Sequence, residues 1–264
     1  MIVRKENDGR MLLVGQTDHS RLAGQFAAHW GNAQFAALQP YESVARAAAF
    51  HDFGYIRYET EPAFNSETGE TPNFRDVATD AKRLDEYQWC SDWLLGPDPY
   101  AGTIVNMHRT GLWRGRYDAI THPEPKMRKQ SPEVDAFIAR NEEQRAQLLA
   151  AHEWNRDELR INYRLLQVWD LLSLYFSCQE PSKDYIEPVP TVYQAREGEG
   201  VRLTLTPIGP NKVRLDPFPF DVNPCYVQLT ARRLSQSKFE NQDAFRKAYF
   251  QAPLEIMHFE LSGI

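Results

Sequence analysis

Cysteine is scarce in this sequence, and the cysteines that occur are far apart. Among 264 residues there are three, Cys90, Cys178 and Cys225. An odd number at this spacing excludes a disulfide framework and a paired-cysteine zinc knuckle. The N-terminal segment also lacks the long apolar stretch of a signal peptide, because a charged turn divides its two short apolar runs. We therefore expect a cytoplasmic protein in a reducing environment.

Long apolar runs and a strong excess of either charge are also missing. The most apolar stretch, residues 165–176, is interrupted by polar residues and is shorter than the roughly 20 residues needed to cross a bilayer. The net charge of −6, from 30 basic and 36 acidic residues, creates no field that would hold a polyanion. We expect no membrane-spanning segment and no nucleic acid partner, although a local basic pocket can still hold a small phosphorylated molecule.

The sequence does contain the pattern of a globular protein, with 42% hydrophobic and 12% aromatic residues. In the first two thirds of the chain, apolar residues recur at helical spacing. Several of these segments have end signals, such as Gly31 after the first and Ser131-Pro132-Glu133 at the start of another. The predicted helices cover residues 18–30, 41–50, 77–95, 99–110, 132–153 and 155–177, and a loop with Pro and Gly covers residues 61–73.

The last third of the chain has a different pattern. From Pro181 onward prolines are frequent, and short runs alternate between apolar and polar residues, which predicts strands at 201–206, 212–216, 226–231 and 254–261. The Asp8-Gly9 turn predicts an N-terminal hairpin that can join them. We therefore predict a mainly α protein, α+β overall. It has a helical bundle with the hairpin over residues 1–180 and an antiparallel β-rich region over residues 181–264, packed on the first part.

Three histidines and two aspartates fall on the inner faces or ends of these helices. His19, His51 and His108 each lie three, four and seven residues from apolar residues of their own helix. Asp52 follows His51 where its helix ends, and Asp170 lies in a very apolar helix. A buried, unpaired carboxylate is strongly unfavourable, so Asp170 needs a cationic partner.

The residues alone leave two kinds of partner open for Asp170. Arg160 or Arg164 could form a salt bridge with it, and a lone inward histidine is more often a hydrogen-bonded core residue than a ligand. A metal ion is the alternative, because imidazoles and carboxylates that converge from several helices bind Zn, Mn or Fe. Gln167 and Ser173 continue a polar stripe through Asp170, which indicates a polar cavity.

The order of His19, the adjacent pair His51-Asp52 and a late Asp170 resembles the H…HD…D signature of the HD-domain superfamily of metal-dependent phosphohydrolases. The phrases TDHSRLAGQFAAHWG, AAAFHDFGY and VWDLLSLYF are similar to its motif helices, across most of residues 17–177. More narrowly, MIVRKENDGRMLLVGQTDHSRLAGQ and HDFGYIRYETEP resemble an uncharacterised bacterial family, domain of unknown function 3891. This second resemblance extends over nearly the whole chain and implies no activity.

The superfamily resemblance implies one metal ion with four ligands: His19, His51, Asp52 and Asp170. In members with two ions, Asp52 bridges them, and histidines between the HD pair and the last aspartate hold the second ion. His108 and His122 are the candidates for this second position, while His152 is expected on the surface. The ions considered are Mn, Fe, Zn, Ni and Mg, in one or two copies. The loop after the HD pair departs from the usual pattern, which leaves the substrate and the metal count open.

The resemblance implies hydrolysis of a phosphomonoester or phosphodiester by a metal-bound water. Asp52, His108 and Arg109 are the expected catalytic residues, with Asp52 orienting the water and Arg109 neutralising the phosphate. Further candidates near the phosphate or the pocket wall are Arg114, Arg116, Arg164, Trp113 and Tyr117.

Two other functions are compatible with the same ligands. A di-iron oxygenase would need both His108 and His122 at the site. A non-catalytic protein would use the metal structurally and bind a ligand or partner. The C-terminal strands are expected to cap the helical pocket or to form a homo-oligomer contact.

Overall fold

The computed structural model describes residues 1–77, 79–113 and 130–264. The helices in its first two thirds are α1 (Gln16–Ala28), α2 (Tyr41–Phe50), α3 (Ile56–Glu59), α4 (Ala81–Leu95), α5 (Pro99–Gly111), α6 (Pro132–Ala151) and α7 (Arg156–Cys178). A 3-10 turn at Phe53–Tyr55 precedes α3. The six predicted helices are present, with ends that differ by a few residues.

Side-chain caps fix where several helices begin. Four of these helices have a side-chain acceptor for a first-turn N–H group, namely Asp80 for α4, Asp98 for α5, Ser131 for α6 and Asn155 for α7. The Asp80 cap explains why α4 begins at Ala81 and not at residue 77. Helices α5 and α6 also have proline in the first turn, where its missing N–H leaves no donor unpaired.

The described strands form one sheet of seven: β1 (Ile2–Lys5), β2 (Met11–Val14), β3 (Asp184–Val189), β4 (Val201–Gly209), β5 (Lys212–Asp216), β6 (Cys225–Leu234) and β7 (Leu254–Ser262). Their order is β1-β2-β6-β7-β5-β4-β3. The N-terminal hairpin joins the sheet because β2 pairs with β6, where Met11 lies opposite Leu234. Strands from distant parts of the chain therefore build a single sheet.

The prediction of a mainly α helical bundle is wrong. The molecule is an α+β fold, 45% helical and 21% strand, with a mixed and curled sheet in which β5 and β7 run parallel. Helix α7 packs on both layers, since the ring of Phe176 lies 6.0 Å from that of Phe26 in α1 and 4.6 Å from that of Phe259 in β7. Residues 165–173 of α7 are all buried. A helix segment that is buried on every side must pack against other elements on every side. For α7 these elements are the neighbouring helices on one side and the sheet on the other.

Two elements in the last third of the chain were not predicted. Strand β3 was missed, and so was α8 (Gln242–Gln251), which begins at the side-chain cap of Asn241. Helix α8 buries Phe245 and Tyr249, one turn apart, in a small cluster over the β2–β6 end of the sheet. The C-terminal region is therefore not made of strands alone.

The main apolar core contains residues from both sides of residue 180. It includes Leu22 and Trp169 from the helices and Leu205 and Leu229 from the strands. The domain boundary predicted at residue 180 stays a prediction. Expressing the two parts separately, and measuring whether each folds, would test it. Across the described ranges, none of the helices combines the length and the apolar character needed to span a bilayer.

One side chain of α1 forms hydrogen bonds with the backbone of the sheet. The amide group of Gln25 donates a hydrogen bond to the carbonyl of Gln228 (2.8 Å) and accepts one from its N–H (2.9 Å). Gln228 lies in β6 before the residues that pair with β2, so the glutamine amide replaces a neighbouring strand there. This contact holds α1, which carries one of the candidate histidines, at a fixed position on the sheet.

Candidate metal centre

Six buried polar side chains meet in the main core, and we call them the inner cluster: His19, His51, Asp52, His108, Arg109 and Asp170. They come from α1, from the two residues after α2, from the last turn of α5 and from the middle of α7. Close packing of α1 on α2 helps to bring them together. A Cβ atom at Gly24 would lie only 2.6 Å from the Cβ of Ala49, so glycine is needed at this crossing.

His19 is held between a serine and a carboxylate. Its Nδ1 lies 2.8 Å from Ser173 Oγ, and its Nε2 lies 2.8 Å from Asp52 Oδ2. The Ser173 hydroxyl donates its proton to the backbone carbonyl of Asp170 at 2.7 Å. Both ring nitrogens of His19 therefore lie within hydrogen-bond distance of a side-chain oxygen, and Nε2 points at Asp52.

His51 has the same arrangement with a different acceptor. Its Nδ1 lies 2.8 Å from the carbonyl oxygen of Ala48, which can only accept, so Nδ1 carries the proton. Its Nε2 is fully buried, lies 3.3 Å from Asp170 Oδ1 and has no well-aligned hydrogen-bond partner in the described part of the chain. The neutral His51 ring therefore points the Nε2 lone pair at Asp170.

A lone pair that faces a carboxylate is repelled unless a proton or another cation lies between them. Burial disfavours a proton on His51, but the carboxylates of Asp170 and Asp52 outweigh burial and raise the pKa of His51 above its ordinary value. A metal ion satisfies the same need, because a histidine ligand offers one nitrogen to the metal and donates the other N–H to a fixed acceptor. His51 meets this requirement through the carbonyl of Ala48, and the Oγ atom of Ser173 offers His19 an acceptor at the same ring position.

His108 completes a row of three imidazole rings. Its ring centroid lies 5.1 Å from that of His51, which in turn lies 5.1 Å from that of His19, both edge to face. The Nε2 atom of His108 lies 4.0 Å from Asp170 Oδ2. Burial is the largest influence on His108 and, against the attraction of Asp170, lowers its pKa to about 3. His108 is therefore neutral at physiological pH.

Arg109 is the one permanent cation of the inner cluster. Its Nη2 donates to Asp52 Oδ1 and to the backbone carbonyl of His51. Its guanidinium lies over the ring of Tyr87, 4.5 Å from the centroid, and the residue is 2% exposed. Burial alone would raise the pKa of Asp52, but Arg109 and the two nearby histidines hold it well below its ordinary value. Asp52 is therefore ionised.

Asp170 faces the histidines. Burial alone would raise its pKa, but His51, His108 and His19 together lower it. The two arginines that could have paired with it contact backbone carbonyls: Arg160 donates to Ala195 (2.5 Å) and Arg164 to Pro188 (2.9 Å). The buried carboxylate of Asp170 thus lies among the histidines of the inner cluster.

Within the inner cluster, two groups of three residues could hold a metal ion. His19, His51 and Asp52 form the first, and His51, His108 and Asp170 form the second. In each group the ligand atoms lie within 4.8 Å of one another. The molecule therefore contains buried histidine and aspartate groups able to hold a metal ion, and His51 belongs to both.

The other predicted residues lie elsewhere or outside the described residues. His122, Arg114, Arg116 and Tyr117 lie outside them. Trp113 is buried between Tyr87 and Phe137, with ring centroids 6.1 and 6.0 Å away, so it is a core residue. His152 stacks on Trp154 at 4.3 Å, beyond the end of α6.

The sequence did not predict the groups that surround and support the inner cluster. The carbonyl of Ala48 and the hydroxyl of Ser173 orient the two histidine rings, and Tyr87 supports Arg109. The polar stripe on α7 was a signal for Ser173. The pairing of Arg109 with Asp52 had no sequence signal, because it depends on how α5 packs beside the end of α2.

A scan against protein-family models gives a match over residues 1–236 to the family described as "Protein of unknown function (DUF3891)". Searches of curated proteins and of solved structures give no match.

Proposed function

Because the chain belongs to this family, whose description names no activity, we propose its function from the inner cluster and from the motif resemblance to the HD-domain superfamily: a metal-dependent hydrolase of a small phosphorylated substrate, either a phosphomonoester or a phosphodiester. The proposal includes a metal centre of the kind used by the HD-domain superfamily and a cytoplasmic location. The observation that carries it is the pair of buried imidazoles whose Nδ1 atoms face fixed oxygens and whose Nε2 atoms face the carboxylates of Asp52 and Asp170.

The donor set suits a divalent ion of intermediate softness. His19 and His51 would bind it through Nε2, and Asp52 and Asp170 through carboxylate oxygens. Imidazole with carboxylate is a common set for Zn, Mn, Fe and Ni, and Mg is less favoured because it prefers oxygen ligands. Such an ion would act as a Lewis acid on a phosphoryl oxygen and lower the pKa of a bound water.

The chain's own residues would do the remaining chemistry. Asp52 is ionised and accepts hydrogen bonds, so it can orient an attacking water. His108 is neutral and faces the cluster, so it can accept a hydrogen bond from that water. The catalytic roles of Asp52, His108 and Arg109 remain part of the proposal. A net charge of −6 favours a small substrate, since only a local group of cations can offset the field of the chain.

Metal analysis of protein purified without chelator tests the centre. We expect the wild type to contain a transition metal and the variants His51→Ala and Asp170→Ala to lose most of it, because each removes a ligand. His29→Ala is the matched control, since His29 is a half-exposed histidine at the C-terminal end of α1, ten residues after His19, and pairs with Asp221 at 3.1 Å. Wild type and ligand variants that are equally free of metal would contradict the proposal.

Substrate screening tests the reaction. We expect p-nitrophenyl phosphate, bis-p-nitrophenyl phosphate or a member of a nucleotide panel to be hydrolysed with added Mn, Ni, Co or Mg, and Asp52→Asn to abolish this activity. Bound iron, visible absorption and no hydrolysis would instead support an oxygenase. Bound metal with no reaction of either kind would support a structural role for the ion.

A further inference from the structure

We propose that the guanidinium of Arg109 occupies the position of a second cation beside Asp52, so that the inner cluster binds one metal ion and not two. This inference rests on the proposed function, because it concerns the number of ions at the same centre. It is carried by the donor atoms of His51 and by the contacts of Arg109.

His51 belongs to both groups of possible ligands. Its Nδ1 donates its proton to the carbonyl of Ala48, so Nε2 is the only nitrogen left to bind a metal. One nitrogen lone pair binds one ion. The two groups therefore cannot both be filled by complete sets of three ligands, and a second ion would need the other oxygen of Asp52 as a ligand.

Asp52 is the carboxylate that a second ion would share with the first. Asp52 Oδ2 lies 2.8 Å from His19 Nε2, on the side where the first ion would bind. Asp52 Oδ1 accepts from Arg109 Nη2, which also donates to the carbonyl of His51. A cation that bridged to Oδ1 would have to displace the guanidinium from both of these oxygens.

Two tyrosines and a second arginine hold the guanidinium of Arg109 in this position. It lies over the ring of Tyr87, and the hydroxyl of Tyr87 lies 2.7 Å from that of Tyr55. Arg83 donates to both hydroxyls, at 3.1 Å to Tyr87 and 2.8 Å to Tyr55. A buried ring that is itself held by hydrogen bonds gives the arginine a rigid support. Arg109 therefore acts on the centre as a positioning residue, through Asp52.

Counting bound ions tests the inference without relying on activity. Wild type, Arg109→Met and Arg109→Lys are dialysed against Mn²⁺, and the bound ion is measured by mass spectrometry and by the spin coupling between ions in electron paramagnetic resonance. We expect about one ion per chain for the wild type and for Arg109→Lys, which keeps the charge, and about two coupled ions for Arg109→Met. Arg83→Met is the matched control and should keep one, because Arg83 is buried on the same tyrosines but does not contact Asp52.

The outcomes separate this inference from the proposed function. One ion in both wild type and Arg109→Met would overturn the role of Arg109 and leave the metal centre standing, and two coupled ions in the wild type would do the same. A folded wild type that binds no Mn²⁺ would overturn both. If Arg109→Met does not fold, Arg109→Gln replaces it, because its shorter neutral side chain leaves Asp52 Oδ1 accessible while retaining polar groups for the buried space. A count of one for that variant would also overturn the inference.

Discussion

At the scale of single residues, the inner cluster depends on a very close approach between α5 and α7. Gly111 lies one turn after His108 on α5. A Cβ atom added at Gly111 would lie 1.9 Å from the hydroxyl oxygen of Tyr163, which is on α7 two turns before Asp170. The absence of a side chain at Gly111 therefore sets the distance between the helix with the third histidine and the helix with the second aspartate.

Gly111→Ala should lower the free energy of unfolding by about 2 kcal/mol or more, because the added methyl group would overlap the buried phenol. Removing the hydroxyl in the double variant Gly111→Ala, Tyr163→Phe should recover part of this loss. Urea unfolding measures both. Gly96→Ala is the control, since its added Cβ would meet its nearest neighbour at an ordinary 3.6 Å. A stability of Gly111→Ala within about 0.5 kcal/mol of the wild type would contradict the overlap.

The residues of the inner cluster could be predicted because each obeys a local rule. Helical spacing from apolar neighbours places His19, His51 and His108 on inner faces, and a carboxylate in an apolar helix marks Asp170. The partners of these residues could not be predicted, since they depend on contacts between distant elements. Arg109 was expected at a phosphate, but it lies against Asp52, a contact that forms only when α5 packs beside the end of α2.

At the scale of elements, the Gln25 amide of α1 makes the backbone hydrogen bonds that a neighbouring strand would otherwise make. It satisfies both backbone groups of Gln228 on β6, and these groups would otherwise be unpaired at the edge of the strand. The contact fixes α1 along the strand as well as above it. The position of His19, six residues earlier on the same helix, depends on it.

Gln25→Ala should lower the free energy of unfolding by about 1 kcal/mol, because it removes two hydrogen bonds in a partly exposed place. Gln25→Glu keeps the acceptor for the Gln228 N–H but loses the donor, so it should be at least as destabilising at neutral pH. Arg21→Ala, on the exposed side of the same helix, should change stability little. Thermal unfolding with these three variants checks the ranking, and an equal effect of Gln25→Ala and Arg21→Ala would count against it.

Helices and individual strands were predictable because their signals are local. Caps such as Asp98 and Ser131 lie next to the helices they begin, and alternation marks β4 and β5 within a few residues. The parallel pairing of β5 with β7 has no local signal, because it is determined by which edges remain free after the hairpins have formed. The same reason explains why a helical bundle was expected. The sequence marks the apolar faces of α1 and α7 but does not say that a sheet covers them.

At the scale of the whole molecule, one core joins both parts of the chain. Residues 1–180 supply α1, α7 and the edge hairpin, and residues 181–264 supply the strands that cover them. Strand β7 lies in the interior of the sheet, antiparallel to β6 and parallel to β5. Among the described strands, β7 is therefore the only one that pairs with both halves of the sheet, β1-β2-β6 and β5-β4-β3.

A chain that stops after Gln251 should not reach the native fold, because it lacks β7. A chain that stops after Ser262 should unfold like the full chain. Circular dichroism and urea unfolding compare the three, and the full chain should show a single cooperative transition. A stable, folded fragment of residues 1–180 would contradict this result and support two separable domains.

The interior position of β7 also constrains the order in which the sheet can be completed during synthesis. The ribosome makes β1 first and β7 after every other strand of the sheet. Until β7 emerges, the growing chain can form two partial sheets, β1-β2-β6 and β5-β4-β3, each with an unpaired edge. Both edges are open to wrong partners in this interval, and the arrival of one strand closes both.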